Sequence, residues 1–260
     1  MKLSLLIWAF SLFAEAYVPN TRMILSRTVE NSGSGGYQIE KEVKFSNPEI
    51  PALKETWSLE NDRTLRLTVV PVGQKPAPKL TILWAGGQRH LLLAGSKETT
   101  RPSPENAERL FHFRTTDNFV QYLHQQNILQ ANSGNLDLAR LNRAQGVVTW
   151  GLGKVTEEGS DRFAPYVWIE QDRFVVRKLR FASKSELTAD HFQVYAKGLH
   201  YPDVVTLAWD DQKARLTTQS VSLKKFTPPF FQASQLEDSQ EFMRTMAKWP
   251  VVSEFYKRFR

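Results

Sequence analysis

Cysteine is absent from the 260 residues, which excludes disulfides, thiolate nucleophiles, zinc ribbons and iron–sulfur clusters. Glycine and proline number 13 each, which excludes a collagen-like or low-complexity chain. Acid is the scarcer sign of charge: 27 Asp plus Glu stand against 34 Lys plus Arg, a net of +7 that favours anionic partners without choosing among them. Enzyme patterns are missing too. His90, His112, His124, His191 and His200 show neither HExxH nor any paired spacing, and no serine sits in GxSxG. Gly151-Leu152-Gly153-Lys154 lacks the rest of a phosphate loop. These absences lead to the expectation of a non-catalytic protein with no cofactor and no metal. What remains is 41% hydrophobic and 23% charged, the balance of a globular domain able to bury a core.

The one long apolar run is Leu3 to Phe13, preceded by Lys2 and followed by Ala14-Glu15-Ala16. This is the charged, apolar and small-x-small pattern of a signal peptide, and it is too short to span a bilayer comfortably. Cleavage is expected before Tyr17, making 1–16 the signal and 17–260 a single soluble periplasmic domain, expected to be monomeric. Without a cysteine after the run, no lipid can be attached there. An exported basic protein meets lipid headgroups, acidic glycans and envelope membrane proteins, so no nucleic-acid partner is expected.

Residues 21–31 place Ile24, Leu25 and Thr28 on one side and end at Ser32-Gly33-Ser34-Gly35-Gly36, the pattern of a short helix with a glycine stop. Residues 37–45 then alternate, with Tyr37, Ile39, Val43 and Phe45 on one face. Residues 53–60 and 64–71 repeat the pattern, and 80–85 and 88–94 flank a Gly86-Gly87 turn. A polar crossing over 95–114 leads to a helix through Gln126, capped by Thr116 or Asp117, and a second short helix is expected at 136–143. Strand patterns resume at 147–150, 166–171, 174–182, 191–196, 204–209 and 214–223, separated by turns such as Glu157-Glu158-Gly159. Residues 234–260 form an amphipathic helical tail carrying Phe242, Met246 and Trp249 and broken at Pro250. The fold class expected is α+β: a strongly curved antiparallel sheet of about eleven strands with helices covering one face.

The opening helix ending at 33–36 and followed by Tyr37-Gln38-Ile39-Glu40 carries a family resemblance, together with Val167-Trp168-Ile169-Glu170 and Phe174-Val175-Val176-Arg177-Lys178-Leu179. So does the run from Tyr201-Pro202-Asp203-Val204-Val205 to Ser220-Val221-Ser222-Leu223. Across roughly 22–231 the chain resembles the LolA/LolB-like lipoprotein-carrier superfamily. That resemblance implies an unclosed barrel whose concave face holds lipid. The carriers have an Arg-Pro pair and a lid-locking arginine early in the sheet, where this chain reads Ile50-Pro51-Ala52-Leu53-Lys54-Glu55. No lid-locking residue is therefore carried over.

The candidate ligand-binding residues are Tyr37, Ile39, Val43, Trp57, Leu59, Leu67, Trp84 and Trp168, which the strand alternation places on one face. Core packing explains any single one of these aromatics, and the lining of a lipid-sized cavity is the functional alternative. With Val43 opposite Glu55 and Lys41 opposite Trp57, Lys41 and Glu55 become diagonal neighbours on that face. They then either neutralise one another or anchor a ligand headgroup. Arg173, Arg177, Lys178 and Arg180 read as solvated charges of the sheet surface. Two functions follow: an exported carrier or chaperone for acyl chains or a lipoprotein, or an envelope protein-interaction or sensing module whose concavity its own helices fill.

Overall fold

The computed structural model describes residues 19–129, 139–154 and 163–260. The expected signal peptide, its cleavage site and the Glu157-Glu158-Gly159 turn lie outside the described residues. Helix α1, Thr21–Glu30, starts where the Asn20 side chain accepts a hydrogen bond from the Met23 amide at 2.8 Å. It buries Thr21, Ile24, Leu25 and Thr28. At the corner into the sheet Gly33 has φ +68°, and a Cβ there would lie 2.3 Å from the Tyr37 hydroxyl, so only glycine fits.

Among the described residues thirteen strands form one antiparallel sheet. The first six are β1 Tyr37–Phe45, β2 Leu53–Leu59, β3 Leu65–Pro71, β4 Leu80–Ala85, β5 Gln88–Leu93 and β6 Ser96–Thr100. The others are β7 Arg140–Ala144, β8 Val147–Gly153, β9 Tyr166–Glu170, β10 Val176–Arg180, β11 Glu186–Tyr195, β12 Leu199–Trp209 and β13 Gln212–Leu223. Their order in space is β6-β5-β4-β3-β2-β1-β13-β12-β11-β10-β9-β8-β7. Two meanders are thus joined by the β1–β13 pairing, with Tyr37 opposite Leu223 and Val43 opposite Leu216. The sheet is not closed and forms a curved, unclosed barrel with its helices packed on one face, the inner one.

Both free edges exceed the eleven strands expected from the sequence. In β6 every residue is exposed, and in β7 only Ala144 is buried, so neither carries an apolar alternation to read. Polar, charged edges also discourage pairing with another chain. Residues 140–143 were expected to be helical; the structure makes them strand. The reason is the Gln145-Gly146 turn, with φ of 51° and 81°, which folds β7 back on β8 as a hairpin.

Helix α2, Thr116–Gln125, is capped by Thr115, one residue ahead of the expected cap, and buries Phe119, Tyr122 and Leu123. After β13 the chain first crosses the outer face. There Phe231 and Leu236 are buried against Leu83, with Phe226 and Phe230 packed alongside. It then turns past the β4–β5 hairpin, where the Ser239 amide donates to the Leu92 carbonyl at 2.9 Å and the Thr81 amide donates to Ser239 Oγ at 3.0 Å. Helices α3, Gln240–Met246, and α4, Pro250–Arg258, finally enter the inner face. Phe242, Met246, Val252, Phe255, Tyr256 and Phe259 join the main core there, and Trp249 packs half-buried against it. Pro250 opens α4 at a position where no amide is required of it. Among the described residues no helix is long and apolar enough to cross a membrane.

Candidate functional site

The inner face holds Tyr37, Ile39, Val43, Trp57, Leu59, Leu67 and Trp84 in one continuous core, none more than 2% exposed. Register brings them together: Ile39 faces Trp57, Trp57 faces Leu67, and Leu65 faces Trp84. Trp57 and Trp84 stack with ring centres 5.3 Å apart. Trp168 does not join them. On β9 it is Val167 and Ile169 that reach the main core, so alternation turns Trp168 away, and it packs with Tyr166 and Ala144 in a separate cluster. Lys178 and Arg180 stack over its ring at 5.1 and 5.3 Å. Arg177, read from the sequence as solvated, is instead buried between Glu170 at 2.6 Å and Asp190 at 2.7 Å.

Lys41 and Glu55 are also on the inner face, directly opposite one another rather than diagonal, because Val43 faces Leu53. The shift from the expected register is two residues, which preserves the face of every side chain. Each has a different partner. The Lys41 ammonium donates to Glu108 Oε2, and Glu108 Oε1 accepts from the Tyr201 hydroxyl and lies 2.9 Å from His112 Nε2. Glu55 accepts from Arg260 Nε at 2.9 Å, from Arg260 Nη2 at 3.2 Å and from the Trp57 indole at 2.9 Å. Two cations and two carboxylates are therefore buried together, each at most 1% exposed.

Electrostatics follow from that enclosure. Burial works to raise the Glu108 carboxyl, but the Lys41 ammonium and the His112 contact outweigh it and hold the carboxyl well below its usual range. Burial pulls Lys41 down, with Glu108 opposing. Burial likewise lowers the His112 imidazole, against the pull of Glu108, and raises the Tyr201 hydroxyl, so both rest neutral beside the carboxylate. This arrangement is internally satisfied, and it fixes α4 and the Glu108–Phe111 3-10 turn to the sheet. Among the described residues no three His, Asp or Glu side chains gather as metal ligands would.

Beside this packed centre lies an open groove of about 950 Å³. Its walls come from the 61–65 turn, the Gly86-Gly87 hairpin, the 101–104 loop, Arg109, and the α2 residues Asn118, Gln121, Tyr122 and Gln125. Leu65, Trp84 and Tyr122 form its apolar floor, each at most 2% exposed, and polar side chains make up most of the rest of its lining. The sequence singled out Trp84 alone among these. Arg109, Glu108 and His112 fell in a stretch read as a polar crossing. The available signal was charge set between apolar neighbours, since Ala107, Leu110 and Phe111 are buried on either side of Glu108 and Arg109.

The molecule is a half-open antiparallel sheet wrapped on helices, with a groove at one end. No family model matches the sequence, and no curated protein is similar to it. Solved structures are. A LolA superfamily protein of Nitrosomonas europaea matches with a TM-score of 0.54 at 12% identity, over 84% of this chain and 100% of its own. A putative outer membrane lipoprotein-sorting protein domain of Vibrio parahaemolyticus matches at 0.52 and 12%, over 83% of this chain and 97% of its own. A DUF1329 family protein of Desulfovibrio piger matches at 0.51 and 9%, over 84% of this chain and 98% of its own. These likenesses show a shared fold and, at such identities, the fold alone.

Proposed function

We propose that the protein is a non-catalytic carrier of lipid-like amphiphiles in the bacterial envelope, acting as one domain over 17–260 after loss of 1–16. Its ligand sits in the groove beside α2 and touches Leu65, Trp84 and Tyr122. Tyr37, Ile39, Val43, Trp57, Leu59 and Leu67 form the packed wall behind Trp84, and Lys41 and Glu55 hold that wall to Glu108 and Arg260. The observation that carries this reading is the groove itself: about 950 Å³ left open beside α2 while α1, α2, α3 and α4 pack their apolar sides into the core of the inner face. Ligand sites of this size enclose small amphiphiles. Covering about 200 Å² of an acyl chain there contributes about 5 kcal/mol, enough for reversible holding.

The filled inner face favours a second reading, a partner-binding envelope module that holds no ligand. Native mass spectrometry of protein purified from its own envelope separates the two. A carrier shows an added amphiphile mass that solvent extraction removes, on a chain beginning at Tyr17. A ligand-free chain that takes up no fluorescent fatty acid supports the module and overturns the carrier.

A further inference from the structure

The groove wall carries a charge imbalance. Arg63, Arg101 and Arg109 line it with a single carboxylate, Asp62. Asp62 is already engaged, accepting from Asn118 Nδ2 at 2.7 Å, while Asn118 Oδ1 accepts from Arg63 at 2.9 Å. The nearby Glu105 is taken by Arg258 at 2.6 Å. Arg109 and Arg101 make no side-chain hydrogen bond or ion pair among the described residues, and Arg109 rests only against the Phe113 ring at 5.7 Å. Burial disfavours the Arg109 charge, with only Tyr122 and Asp62 nearby to support it. A partly buried guanidinium without a counter-charge is costly unless something supplies an acceptor.

We propose that this groove is a binding site for an anionic amphiphile, its carboxylate or phosphate held by Arg109 and Arg101 and its apolar tail laid along Leu65, Trp84 and Tyr122. The assignment rests on the carrier reading and specifies its ligand. A guanidinium offers paired donors to an oxyanion, and an enclosed apolar wall strengthens that contact over its value in water. Asn118, by tying Asp62 to Arg63, keeps the one carboxylate from neutralising the site.

The test compares a dansyl-labelled undecanoic acid with its neutral primary amide in fluorescence titrations at low ionic strength. Wild type is expected to prefer the acid about tenfold, the value of a hydrogen-bonded charge. Arg109→Gln with Arg101→Ser should bring that ratio to about one, and Arg109→Lys should restore part of it. Arg101→Ser alone, on an exposed loop that cannot unfold the domain, should lower the ratio about threefold. The remote exposed Arg215→Ser should leave it unchanged. Equal binding of acid and amide by wild type would overturn the charge assignment and leave the carrier standing. A preference that survives the double substitution would overturn the choice of Arg109 and Arg101. Displacement of the acid by inorganic phosphate at matched ionic strength would replace the amphiphile with a free oxyanion. Failure of both probes to bind would overturn the carrier reading itself.

Discussion

The packed centre of the inner face and the groove beside it belong to one sheet, yet they treat charge in opposite ways. In the centre each cation faces a carboxylate: Lys41 meets Glu108, and Arg260 meets Glu55 through two hydrogen bonds. In the groove Arg109 and Arg101 meet none among the described residues. Adjacent residues of one 3-10 turn divide between the two, Glu108 serving the centre and Arg109 the groove. A paired network holds structure, and the unpaired guanidiniums are the groups we assign to a ligand.

Leu67→Glu would break the centre most severely. Leu67 is fully buried between Trp57 and Ile82, and an unpaired carboxylate there is expected to cost more than about 4 kcal/mol. Urea unfolding followed by circular dichroism checks this; a folded variant that merely loses fatty-acid uptake would make Leu67 a ligand contact instead. Glu55→Gln comes next. It leaves the Arg260 guanidinium buried without its counter-charge, and about 3–5 kcal/mol should be lost in the same assay. If the loss is under about 1 kcal/mol, α4 is not held by this pair.

Acid should weaken the centre by a smaller amount and leave the groove's guanidiniums charged. His112 has a folded pKa below its ordinary 6.5, so below that value the unfolded chain binds more protons and stability falls with falling pH. Glu108 is held below its ordinary 4.5, so its contribution is present above 4.5 and drains away as pH drops further. Melting temperature between pH 8 and pH 4 should therefore decline from about pH 6.5 downward, and His112→Gln should flatten the upper part of that decline. A melting temperature that rises on acidification would contradict the network. The smallest effect belongs to the groove: Arg101→Ser, exposed and unpaired, should change stability by no more than about 0.5 kcal/mol while weakening acid binding. A larger destabilisation would mean that Arg101 has a structural partner.

Much of the sheet was legible because alternation is a local signal. Residues 37–45, 53–59 and 65–71 show it plainly, and the Gly86-Gly87 turn takes the positive φ values of 59° and 74° that its composition called for. Even the wrong register between β1 and β2 kept Lys41 and Glu55 on the correct face, since the error was an even number of residues. Edge strands β6 and β7 were not legible, because exposed polar residues paired only through backbone leave no period. Trp168 was misplaced by weighing its aromatic ring above the alternation of Val167 and Ile169 around it. Arg260, 205 residues from Glu55, carries no sequence trace of its partner. The groove was hidden for the same reason: residues near 61, 86, 101 and 121 meet only after folding.

The central claim is that a ligand occupies the groove while the protein's own helices occupy the centre. A fatty acid bearing a photoreactive diazirine in its tail, irradiated on the intact mature protein and mapped by peptide mass spectrometry, tests it directly. Saturable adducts on Leu65, Trp84 and Tyr122, competed by unlabelled fatty acid, are expected. Saturable adducts concentrated instead on Phe45 and Trp209, beneath Phe255 of α4, or no saturable adduct anywhere, would contradict it.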